Sequence, residues 1–186
     1  MKLSLFDTHC DTAYELYHRG VHLDANEGCH ISLDKAACYE RYAQYYAVWS
    51  NRRLDDEACW QDFLKIAANF KAELARIPDR AVQVTSAAEL EAAVQSGKHA
   101  AILAVEDARL TAGKLERLEE MKALGVKYLT LLWGGDTCIG GSHNTENGLT
   151  EYGKALARRS FELGIIPDVS HASEQSVDDL IPIAYE

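Results

Sequence analysis

Proline is scarce in this chain, three in 186 residues, and glycine adds only 12. That is too little of either for a collagen-like or low-complexity chain, and long disordered tails are not expected. No apolar run approaches the roughly 18 residues that a membrane span needs. The N-terminal Met-Lys-Leu-Ser-Leu-Phe turns polar at Asp7, before the apolar stretch of a secretory signal could form. Positive charge is in deficit: 19 Lys and Arg against 29 Asp and Glu leave a net charge of −10. Such a field disfavours generic binding to nucleic acid or to an anionic membrane, and locally favours cations. Five cysteines (Cys10, Cys29, Cys38, Cys59, Cys138) form an odd set without a C-x-x-C pair. They read as reduced thiols of a cytoplasmic protein rather than a disulfide framework or a thiolate zinc site.

What is present is an ordinary globular balance, 47% apolar and 26% charged, with short apolar strands alternating with amphipathic helices. Length alone, divided by roughly 150 residues per domain, gives a single domain over 1–186. Strands are expected at Leu3 to Phe6, Tyr42 to Trp49, Ala100 to Val105, Tyr128 to Trp133 and Ile165 to Val169. Between them, Asp55-Asp56-Glu57 opens a helix whose apolar face runs Phe63, Ile66, Phe70, Leu74, Ile77, and which stops before Pro78. Ser86 with Glu89 is a capping box, and the helix it starts ends at Gly97. A helix through Leu115, Leu118 and Met121 ends at Gly125. Thr150 and Ser173 each begin a further helix. The β-α-β-α order predicts an α/β fold with a parallel sheet, either a barrel or a doubly wound layer.

The side chains able to bind metal cluster at strand ends. The first strand runs into Asp7-Thr8-His9-Cys10-Asp11. His9 and Asp11, two apart, would face the same way in extended backbone and could chelate one ion. The third strand ends in Glu106, and the fifth in Asp168-Val169-Ser170-His171. Functional sites in parallel α/β sheets gather at the carboxyl ends of the strands. Imidazole with carboxylate suits zinc or a similar divalent ion, and one carboxylate can bridge two ions. Singly, each residue has a plain alternative: a polar turn, a helix-cap neighbour or a satisfied core histidine. The conjunction of all four is what points to metal. His18, His22, His30 and His99 lack such placement and read as surface or structural.

Several ordered segments resemble the membrane (renal) dipeptidases and their bacterial relatives, zinc-dependent dipeptidases on a (β/α)₈ barrel. These are Phe6-Asp7-Thr8-His9-Cys10-Asp11-Thr12, Ala104-Val105-Glu106-Asp107, Tyr128-Leu129-Thr130-Leu131, Gly148-Leu149-Thr150-Glu151-Tyr152-Gly153-Lys154 and Asp168-Val169-Ser170-His171. The resemblance implies His9 and Asp11 on a first metal, Glu106 bridging two, and His171 on the second. It implies two zinc ions per complete site and a metal-bridging hydroxide that attacks the peptide bond of a dipeptide, with Glu106 catalytic in that sense. It also implies recognition of a free substrate carboxylate, often with tolerance of a D-residue on the C-terminal side. Where the animal enzymes use a histidine past the fourth strand to hold substrate, this chain has Trp133. His143, in Gly140-Gly141-Ser142-His143-Asn144, is then the candidate donor.

The family pattern also needs a second histidine for the second metal, an arginine and a proton-shuttling aspartate beyond the fifth strand. The chain ends at Ala184-Tyr185-Glu186, so the resemblance implies a C-terminally truncated barrel of about its first five strands. A complete barrel takes about 250 residues, and inactivity of these residues alone is expected. Beyond a dipeptide substrate, no nucleic-acid or membrane partner is expected, and a homo-oligomer is compatible with the sequence. The other readings are a different barrel metal-dependent amidohydrolase and an inactive metal-binding fragment. The former usually carries H-x-H after the first strand, where Asp11 stands in place of the second histidine.

Overall fold

The computed structural model describes residues 3–25 and 28–186, which divide into two compact units. The first takes in residues 1–48 and 63–104, the second residues 49–62 and 105–186.

In the first unit, β1 (Leu3–Asp7) pairs in parallel with β2 (Tyr39–Trp49), Leu5 against Tyr42 and Asp7 against Gln44. β2 lies beside β4 (His99–Glu106), and the short β3 (Ala81–Gln83) also pairs with β4 in parallel. All eight residues of β4 are buried, as an uninterrupted apolar run in a parallel sheet should be. β1 differs: Leu3 and Phe6 are more than half exposed, 55% and 53%. The long α3 (Asp56–Arg76) buries Phe63, Ile66, Phe70 and Leu74 at helical spacing and ends before Pro78, as expected. Each such side chain contributes roughly 1.5–3 kcal/mol by leaving water. Phe70 meets the ring of Tyr46, which has no exposed surface, at 5.1 Å.

α4 (Ala87–Gln95) begins at the expected cap, where Ser86 Oγ accepts from the Glu89 amide at 3.2 Å. In return the Glu89 carboxylate accepts from the Thr85 amide at 2.7 Å. α1 (Thr12–Arg19), α2 (Leu33–Ala36) and β3 are elements without a forecast. All three are short, with at most eight residues to carry a periodic signal.

In the second unit, β5 (Val126–Thr130) follows β4 in the sheet and pairs in parallel with β6 (Ile166–Asp168), Thr130 against Asp168. Both strands are shorter than expected. β6 stops because the Asp168 carboxylate is captured locally: Oδ1 accepts from the Ser170 amide at 3.1 Å and Oδ2 from Thr130 Oγ1 at 2.6 Å. Leu131 N still donates to Asp168 O at 3.0 Å, after which β5 has no ladder to follow. Trp133 therefore lies beyond the strand, not at its end.

A 3₁₀ turn (Ala108–Thr111) and α5 (Arg117–Ala123) follow β4. α6 (Glu151–Leu163) is capped by Thr150, whose Oγ1 accepts from the Gly153 amide, and it closes at Gly164 in the left-handed region. Glycine is required at 153, because a Cβ there would stand 2.0 Å from the Ile139 carbonyl oxygen. α7 (Glu174–Ala184) starts at Ser173, which accepts from the Ser176 amide. Among the described residues, no helix is long and apolar enough to cross a membrane. All five cysteines are free thiols.

Candidate metal centre

The first unit carries His9 and Asp11. Beyond β1, Cys10 continues the pairing with β2: its amide donates to Tyr45 O at 3.1 Å and its carbonyl accepts from the Ala47 amide at 2.8 Å. Cys10 is buried, and burial pushes its thiol up to about 12, so it remains a neutral packing residue. The side chains on either side of it are exposed, and His9 Nε2 lies 3.6 Å from Asp11 Oδ1. The expected shared orientation is thus observed, but extended backbone is not its cause. Asp11 has left the strand (φ −88°, ψ 9°) and occupies the N-cap position of α1, making no side-chain cap bond. Its carboxylate is accordingly not committed to the helix, and it stands where a helix dipole favours negative charge.

A cavity of about 500 Å³ adjoins this pair, lined on its far side by Glu15, Arg19 and His30. Two other histidines of the unit are held by partners. His22 Nδ1 lies 3.1 Å from the Glu73 carboxylate. His99 is buried with its Nε2 2.8 Å from Tyr46 Oη, and desolvation lowers its pKa to about 4.

The second unit carries Glu106 and His171. Glu106 ends β4 and is buried, 7% exposed, whereas His171 is exposed. Their side chains meet at 3.2 Å, Nε2 to Oε1. His171 adopts φ +66°, uncommon for a residue with a Cβ, and its carbonyl accepts from the His143 amide at 2.7 Å. The turn that presents the imidazole is therefore tied to the loop between β5 and α6.

That loop brings both expected substrate residues to His171. The His143 ring lies 5.8 Å and the Trp133 ring 6.1 Å from the His171 ring. His143 is exposed and Trp133 half-buried. Asn144 Oδ1 accepts from the Gly135 amide and from Ser142 Oγ, which fixes the loop beside His143.

Sequence reasoning missed four residues around this site. Trp49 packs its ring 5.4 Å from Trp133, and the Arg52 guanidinium lies 5.7 Å from the Trp133 ring centre while bonding the Gly134 carbonyl. Ser50 is buried against the end of β4. Asp107, with no exposed surface, directly follows Glu106; burial raises its carboxyl to about 6 despite Arg109 nearby. Two successive acids after a buried strand were a readable sign for Asp107. The others carry no local signal, since they are recruited from a segment more than 50 residues away in sequence.

Imidazole nitrogen and carboxylate oxygen, paired in each unit, are the donor types zinc accepts.

A sequence model of the family described as Membrane dipeptidase (Peptidase family M19) matches residues 1–185. Dipeptidase AC, a metallopeptidase of the same family, is 21% identical, with a TM-score of 0.89 over 98% of this chain and 61% of its own. A metallopeptidase from Rhodobacter sphaeroides, solved with a phosphinate mimic of the dipeptide L-Ala-D-Ala, is 20% identical. Its TM-score is 0.89 over 98% of this chain and 63% of its own. A probable dipeptidase from Pseudomonas aeruginosa, PvdM, reaches 0.82 at 18% identity over 98% and 50%. The fold is therefore the α/β parallel sheet of a partial (β/α)₈ barrel. The chain spans about three-fifths of the length of the first two solved structures.

Proposed function

The chain belongs to the membrane dipeptidase family of metallopeptidases, and on that premise we propose that it serves the zinc-dependent hydrolysis of dipeptides. The observation that carries the reading is the family match across residues 1–185. The two imidazole–carboxylate pairs support it by their chemistry.

In this proposal His9, Asp11, Glu106 and His171 would hold the metal, with Glu106 serving both of two zinc ions if two bind. Bound zinc supplies Lewis acidity, polarising a peptide carbonyl and bringing the pKa of water down to about 7. The residues of the chain do the rest. Glu106, fixed at the buried end of β4, offers its carboxylate oxygens to the cations from a set position. His171 offers Nε2 while its backbone is fixed through His143. Trp133 walls the pocket and keeps water from one side of the substrate, and His143 donates to the substrate carbonyl or carboxylate. The five thiols and the strongly acidic surface suit a reducing cytoplasmic setting.

The test is release of free alanine from L-Ala-L-Ala by the full-length gene product, with zinc added and with zinc chelated. Zinc-dependent release is expected. Stoichiometric zinc uptake without any hydrolysis would overturn the dipeptidase reading.

A further inference from the structure

Ser50 stands one residue past the end of β2 and is 1% exposed. It makes two hydrogen bonds to the end of β4. Its amide donates to the Glu106 carbonyl at 2.9 Å, and its hydroxyl donates to the Asp107 carbonyl at 2.6 Å. These two carbonyls belong to the peptide groups on either side of the Asp107 Cα. One residue therefore holds both peptide planes whose relative rotation defines φ and ψ of Asp107.

That rotation is unusual. Asp107 has φ +76° and ψ 99°, a conformation disfavoured for any residue with a Cβ, in a position with no exposed surface. Such a backbone persists only where its surroundings over-determine it. The Asp107 side chain helps: Oδ1 accepts from the Arg109 amide at 3.1 Å, and Oδ2 faces Arg109 Nε at 3.6 Å. Neither Oδ2 nor Nε reaches a full hydrogen-bond partner among the described residues. The side-chain contact is thus loose, and the two bonds from Ser50 are the tight constraint.

From this geometry we infer that Ser50 is a positioning residue for Glu106. With its amide on the Glu106 carbonyl and its hydroxyl on the Asp107 carbonyl, it locks the two peptide groups that follow the Glu106 Cα; losing the hydroxyl bond frees the Asp107 turn and, with it, the end of β4 that holds the Glu106 carboxylate at His171. The inference rests on the metal-centre reading given above, and extends it to a residue that touches neither metal nor substrate. Outer partners that orient a ligand typically change metal affinity 10- to 100-fold when lost.

The experiment uses the 186-residue chain and two variants. Ser50→Ala removes the hydroxyl bond. Ser160→Ala is the control, removing an equally buried hydroxyl that donates to the Leu156 carbonyl at 2.8 Å within α6. Zinc affinity is measured by calorimetry, and amide exchange over residues 105–110 by mass spectrometry. Ser50→Ala is expected to weaken zinc binding about 10-fold and to speed exchange in that segment, with Ser160→Ala matching the wild type in both. Ser50→Thr, which keeps the hydroxyl, should recover most of the affinity. Equal zinc affinity in Ser50→Ala and Ser160→Ala would overturn the positioning role, even if exchange differed. Should Ser50→Ala fail to fold, Ser50→Thr and Ser50→Cys decide: equal affinities overturn the inference, a deficit confined to the weaker thiol donor supports it. Absence of zinc uptake by the wild type would instead remove the metal-centre reading itself, and the inference with it.

Discussion

The His9–Asp11 pair and the Glu106–His171 pair use the same two functional groups at similar separations, 3.6 and 3.2 Å. Their supports differ. Both members of the first pair are exposed, and Asp11 sits at the start of an eight-residue helix. In the second pair the carboxylate is buried at the end of a fully buried strand and its backbone is gripped by Ser50. The imidazole opposite it is held through its own carbonyl. One pair is adaptable and the other preorganised.

The largest predicted effect follows from that contrast. Glu106→Gln removes the buried charge and should weaken zinc binding on the order of 100-fold, while Asp11→Asn should cost about 10-fold. Calorimetric titration of the two variants checks this. Equal losses, or a greater loss in Asp11→Asn, would break the distinction between the pairs.

A smaller effect sharpens the comparison inside the first unit, where order resides in the aromatic row rather than in the donors. The His99 ring lies 4.6 Å from that of Tyr42 in a tilted arrangement, meets Tyr46 edge-on, and is held neutral by burial. Its pKa is about 4 when folded and 6.5 in its ordinary state, so the unfolded chain takes up the proton first. Its contribution to stability is complete above pH 6.5, falls as pH drops towards 4, and is constant below. The slope is at most on the order of 1 kcal/mol per pH unit. Urea unfolding between pH 4 and 7 should show a flatter pH dependence in His99→Phe than in the wild type. Parallel curves would remove His99 from the account.

Much of this was legible in the chain because it depends on local signals. The uninterrupted Ala100 to Val105 run, the helical spacing of Phe63 to Leu74, and the caps at Ser86, Thr150 and Ser173 each encode an element within a few residues. Glu106 does end its strand as expected, and Trp133 and His143 do lie near His171. The pairing of His9 with Asp11 was anticipated for a reason the structure replaces: a helix cap and a buried Cys10, not extended backbone, set their directions. The end of β5 was misjudged because Leu131 and Leu132 are as apolar as strand residues. What stops the ladder is Asp168, 36 to 37 residues later, turning onto its own backbone. Ser50 was not legible at all, and of Asp107 only its place after Glu106 was, not its left-handed backbone. A serine after an aromatic strand acquires meaning only when the chain brings its hydroxyl within 2.6 Å of the Asp107 carbonyl.

The central claim is that histidine and carboxylate groups, and none of the five thiols, form the metal centre. X-ray absorption at the zinc edge of the loaded protein tests it most directly. Nitrogen and oxygen neighbours alone are expected at about 2.0–2.2 Å, with the outer scattering of imidazole rings. A sulfur shell at about 2.3 Å would contradict it.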